Sequence, residues 1–108
     1  MNLRTTIEPT HASDDCLDVD IFVQDLDTRG EYRARVWFGL HGMSDGQAVL
    51  PDKDDFEYSP DADSGYEPAE KVPAKVRAAF KAAYPQAVQE IVTMLAQRNL
   101  RPIKPLIP

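Results

Sequence analysis

The stretch Leu17-Asp18-Val19-Asp20-Ile21-Phe22-Val23-Gln24-Asp25-Leu26 decides the fold. In it Leu17, Val19, Ile21 and Val23 alternate with Asp18, Asp20, Phe22 and Gln24. Successive strand side chains point to opposite faces, so this period of two predicts a strand with one buried face. A second run, Tyr32 to Leu40, sets Tyr32, Ala34, Val36, Phe38 and Leu40 against Arg33, Arg35, Trp37 and Gly39. Asp27-Thr28-Arg29-Gly30 joins the two runs as a hairpin, with Gly30 expected to take the positive φ of the turn. Pairing Leu26 with Glu31 places Val23 opposite Ala34, Ile21 opposite Val36, Val19 opposite Phe38 and Leu17 opposite Leu40. All of these then lie on one side, whereas a one-residue slip sets Val23 against Arg35 and breaks both faces.

Working outward, Gly42 to Gly46 predicts a turn, and Gln47 to Leu50 a short third strand stopped by Pro51. Leu3, Thr5 and Ile7 predict a short edge strand. Asp52 to Glu70 is expected to be a long acidic loop anchored by the rings of Phe56, Tyr58 and Tyr66. From Pro73, the residues Val72, Val76, Phe80 and Ala83 recur at helical spacing as far as Tyr84. Pro85 removes a backbone donor and is read as opening a second helix, the alternative being a kink; Val88, Ile91, Val92 and Leu95 form its stripe, and Asn99 is a natural stop. Pro102, Pro105 and Pro108 make the tail extended. The expected architecture is α+β: an antiparallel β-meander of three to four strands packed against two C-terminal helices. At 108 residues this is one domain, with a β-rich acidic segment over residues 1–70, a helical basic segment over 71–100 and an extended Pro-rich tail over 101–108.

Charge divides along the same boundary. Residues 1–70 hold 17 acidic side chains against five basic ones, a balance of −12, while 71–108 hold seven basic against Glu90 alone, a balance of +6. A polarity of this size concerns partners rather than fold. The lone Cys16 forms no internal disulfide, and Met1 to Asp15 mixes Arg4, Glu8, Asp14 and Asp15 where a signal peptide would be apolar, so a reducing, cytoplasmic setting is expected. The apolar runs fall far short of the ~20 residues of a membrane span, and no membrane role is expected.

Material for catalysis is sparse. His11 and His41 sit in a loop-like segment and a Gly turn, where histidines are usually solvated. Cys16 follows Asp14 and Asp15, whose charge disfavours a thiolate. His11 with Cys16 offers two soft ligands where structural zinc takes four, and Asp61-Ala62-Asp63-Ser64-Gly65 lacks the glycine position and the terminal Glu of a calcium loop. None of the five glycines falls in a phosphate-binding fingerprint, so no metal, cofactor or catalytic residue is assigned. Lys71, Lys75, Arg77 and Lys81 read first as the solvated face of a helix, and direct nucleic-acid binding is not expected with so acidic a neighbour.

What remains is the acidic surface. The expected activity is non-enzymatic: protein–protein contact with a partner carrying a basic surface, as an inhibitor that mimics the charge of nucleic acid, of the anti-defence kind carried by phages and mobile elements. The candidate docking residues are Asp18, Asp20, Phe22, Arg35 and Trp37 on the outer hairpin face, with Asp52, Asp54, Asp55, Asp61 and Asp63 from the acidic loop. In the expected register Phe22 faces Arg35, Asp20 faces Trp37, and the two rings are diagonal neighbours. Two alternatives stand beside this reading: a structural homodimer using the Phe22/Trp37 face, and a small ligand-binding or enzymatic domain using His41.

Overall fold

Strand alternation becomes a three-strand antiparallel core in the computed structural model, which describes residues 2–13, 16–39, 48–49, 56–61 and 63–98. Strands β1 (Leu3–Ala12), β2 (Cys16–Asp25) and β3 (Glu31–Gly39) run in sequence, with β2 in the middle. Two-residue β4 (Ala48–Val49) pairs with Trp37 and Phe38, within the stretch expected to form the third strand. Strand β5 (Glu57–Ser59) pairs with the start of β3, and β6 (Glu67–Pro68) pairs with β5. The sheet order is β1-β2-β3-β5-β6, all antiparallel, with β4 beside the far end of β3.

The faces are those the alternation predicts, but the register is not. Val23 lies opposite Tyr32, Ile21 opposite Ala34, Val19 opposite Val36 and Leu17 opposite Phe38. Relative to the expected pairing, the second strand has moved by two residues, and an even shift leaves every side chain on its own face. The turn explains the shift. Asp25 rather than Leu26 closes it: the Asp25 amide donates to the Gly30 carbonyl at 2.8 Å, and the Arg29 amide to the Asp25 carbonyl at 2.7 Å. The Asp25 carboxylate also accepts the amides of Asp27 at 2.9 Å and Thr28 at 3.4 Å, an Asx turn that the bare pattern does not reveal. The positive φ of 65° falls on Arg29, not Gly30. Gly30 is needed for another reason: a Cβ there would sit 2.8 Å from the Tyr58 ring.

The edge strand is longer than Leu3, Thr5 and Ile7 suggested, extending to Ala12 through a register irregularity between Pro9 and His11. His11, expected in a loop, is thereby opposite Asp18. The acidic segment is also more ordered than expected, since it contributes β5 and β6. Its three rings do anchor it: Phe56 is buried and stacks on Phe80 at 5.0 Å, Tyr58 packs on Tyr32 at 4.7 Å, and Tyr66 lies over Arg33.

A second layer is one helix, α1 (Ala74–Gln97), rather than two joined at Pro85. Val76, Phe80, Tyr84, Ala87, Ile91 and Leu95 are spaced four, four, three, four and four residues apart, so a single stripe passes through the proline in phase. Pro85 itself is exposed, and so is Lys81, the residue whose carbonyl the proline leaves without a helical donor. Buried Val76, Phe80, Ala87, Val88, Ile91 and Leu95 meet Leu17, Val19, Ile21, Val23, Ala34, Val36 and Phe38 from the sheet. The Arg98 guanidinium donates to the Ser13 carbonyl, which ties the end of α1 to the β1–β2 connection. No helix among the described residues is long and apolar enough to cross a membrane. The expected turn at Gly42 to Gly46, the stop at Asn99 and the proline tail lie outside the described residues.

Candidate functional site: the outer face of the sheet

With the odd-numbered residues of β2 turned to α1, the even-numbered ones form the outer face. Cross-strand rows there read Thr6, Phe22, Arg33 and Glu57; then Glu8, Asp20 and Arg35; then His11, Asp18 and Trp37. Asp18, Asp20, Phe22, Arg35 and Trp37 therefore share a surface, as the alternation predicts. Their pairings differ from expectation because of the two-residue shift. Phe22 is opposite Arg33 instead of Arg35, Asp20 is opposite Arg35 instead of Trp37, and Trp37 is opposite Asp18. Phe22 and Trp37 are thus two rows apart and are not diagonal neighbours.

Asp20 is only 1% exposed, an unusual position for a carboxylate on the face away from the core. Arg35 accounts for it: Nε donates to Oδ1 at 2.9 Å and Nη2 to Oδ2 at 3.4 Å, a forked pair across the strands. The bond to Asp20 raises the Arg35 pKa further above its already high ordinary value. The remaining edge of that guanidinium is in solvent, since the Arg35 side chain is 48% exposed.

Asp18 is buried without such a partner. It is 8% exposed, and its Oδ1 accepts no hydrogen bond from the described residues. Burial raises its pKa above the usual carboxylate value; Arg35 and His11 pull it back, and the neighbouring Asp20 charge adds to the rise. A buried acceptor without a donor costs about 1–3 kcal/mol.

One row further along, the face is closed by a contact that the strand pattern does not assemble. Arg33 pairs with Glu57 across β3 and β5, and the Tyr66 ring lies 4.2 Å from the Arg33 guanidinium carbon. Phe22 meets the same ring at 6.4 Å. Tyr66 is legible in the sequence as an anchor; its target is not, because the pairing of β5 with β3 spans 24 residues.

The acidic-loop candidates divide. Asp52, Asp54 and Asp55 lie outside the described residues, as does His41. Asp61 is committed to its own turn: its Oδ1 accepts the amides of Asp63 and Ser64 at 2.9 Å each, and its Oδ2 the Ser64 hydroxyl at 3.0 Å. The Ser64 hydroxyl bond leads in lowering its pKa, and the backbone amides of Asp63 and Ser64 add to it. Asp63 is exposed. Among the described residues no three His, Cys, Asp or Glu side chains come together in a way that could hold a metal ion. Comparison with protein-family models, with curated proteins and with solved structures finds no match to this chain.

Proposed function

We propose that this chain is a non-enzymatic acidic binding protein that docks a basic protein partner on the outer face of its sheet, as an inhibitor imitating the charge of nucleic acid. The observation that carries the reading is Asp18, a buried carboxylate to whose Oδ1 the described residues supply no donor, paired across the strands with His11 and with half-buried Trp37. An acceptor without a donor suits a partner's Lys or Arg. Arg35 and Trp37 are residue types that anchor interfaces. The −12 balance of residues 1–70 supports the choice of a basic partner, because complementary potentials speed encounter and reject partners of like sign.

Capture from the native host's lysate at low ionic strength tests this reading, with Trp37→Ala and Asp18→Asn as paired baits. The expected result is a basic, nucleic-acid-handling protein that is retained by the natural chain and displaced by DNA. Salt at about 1 M, where the screening length falls to about 3 Å, should release it. It should be lost from the Trp37→Ala bait while circular dichroism shows that variant folded. A captured protein that ignores salt, DNA and both substitutions would overturn the reading.

A further inference from the structure

The free edge of β1 carries a second surface. Among the described strands β1 pairs only with β2, and from Arg4 to Glu8 only Ile7 is partly covered. Exposed edges of this length are normally blunted by proline, bulges or charge. Here Pro9 and the irregularity beside it close the far end, and the charges along the rest are Arg4 and Glu8, of opposite sign.

The direction of the edge hydrogen bonds follows from the turn contacts. The Leu26 amide donates to the Asn2 carbonyl at 2.9 Å, so even-numbered residues of β1 bond inward to β2. Leu3, Thr5 and Ile7 then present both N–H and C=O to the open side, and Pro9 presents its C=O. Among the described residues neither Arg4 nor Glu8 has an ion-pair partner. Glu8 lies opposite Asp20, a like charge, and Arg4 opposite neutral Gln24. About 13 Å of extended strand separates Arg4 from Glu8, too far for them to pair with each other.

We infer that β1 pairs antiparallel with β1 of a second copy about a two-fold axis at Thr6, extending the sheet across a homodimer. In that register Arg4 of each copy faces Glu8 of the other, twice, in the closely spaced non-hydrogen-bonded positions. Thr5 and Ile7 exchange both main-chain bonds, and the Leu3 amide donates to the Pro9 carbonyl, while the Leu3 carbonyl, to which Pro9 has no N–H to give, stays open at the end of the ladder. An axis at Thr5 sets Arg4 against Thr6 and Glu8 against Asn2. An axis at Ile7 sets Arg4 against Thr10 and spends the Thr5 position on Pro9. Only the Thr6 register pairs the charges, and it keeps the proline at the end of the ladder rather than in its middle. The interface is isologous and closes after two copies. It leaves the Asp18–Trp37 surface open.

Sedimentation of the full chain over a range of concentrations tests the inference. A reversible dimer is expected. Glu8→Arg opposes Arg4 with a like charge and should weaken association by about tenfold or more, while Arg4→Glu combined with Glu8→Arg restores it to within about threefold. Thr5→Pro removes an edge-facing amide and no β1–β2 bond, and should leave a folded monomer by circular dichroism. Hydrogen exchange at Thr5 and Ile7 should slow only as the dimer fills. A chain that stays monomeric up to its solubility limit overturns the inference, as does a dimer in which Glu8→Arg and the double exchange behave like the natural chain.

Discussion

Asp18 and Asp20 occupy adjacent outward positions of one strand and have opposite energetic characters. Asp20 receives a forked pair from Arg35; Asp18 receives none at Oδ1 from the described residues. Burial raises the Asp18 pKa, so the folded state holds that proton more tightly than the unfolded chain does. Its favourable contribution is fully present below the ordinary carboxylate pKa and is lost as pH rises through the folded value. Asp18→Asn should therefore stabilise the protein at pH 7 by about 1 kcal/mol, with the amide nitrogen turned outward. The gain should shrink toward nothing as pH falls to about 2.5, well below the ordinary Asp value. Urea unfolding of both proteins at the two pH values measures it. A destabilised variant at neutral pH would mean that Asp18 is paired in solution.

Among the elements, α1 is the one whose continuity the sequence conceals. Proline inside a helix removes one hydrogen bond and crowds the carbonyl four residues back, at a cost of about 3 kcal/mol or more. Here the core stripe keeps its phase across Pro85, and packing against the sheet on both sides of the proline holds the two halves as one element. Pro85→Ala should restore the amide bond to Lys81 and stabilise the fold by about 1–3 kcal/mol, less than the full penalty because the freed carbonyl belongs to an exposed residue. Equilibrium unfolding reads this directly; a loss of stability would show that the proline sets a bend the core requires. In the β2–β3 hairpin, by contrast, alternation is enough to assign both faces. It does not locate the turn, because the Asp25 carboxylate and the close approach of Tyr58 to Gly30 decide where the hairpin closes.

At the scale of the molecule there are two layers and one open face. Phe38 and Trp37 are neighbours in sequence on opposite sides of the sheet, one 2% exposed in the core and the other half-buried on the outer surface. Phe38→Ala should cost about 3–5 kcal/mol. Trp37→Ala should cost about 1–2 kcal/mol, the scale of a partly covered ring, and leave a cooperative fold. Chemical denaturation of the pair checks the layer assignment. Equal losses would place Trp37 in a second core.

The α+β class, the inward and outward faces of β2 and β3, the apolar stripe of the helix and the division of charge were all determined by the sequence itself. Each depends on local periodicity or on composition, which chain folding does not alter. Tertiary structure alone decided the register, the left-handed turn at Arg29, the ordering of β5 and β6, and the meeting of Arg33, Glu57 and Tyr66. It also decided that Asp18 and Asp20 are buried on the face away from the helix. Alternation tells which side a residue faces but not which residue faces it. That choice belongs to hydrogen bonds and ring contacts between positions far apart in the chain, whose partners become neighbours only once the sheet has formed.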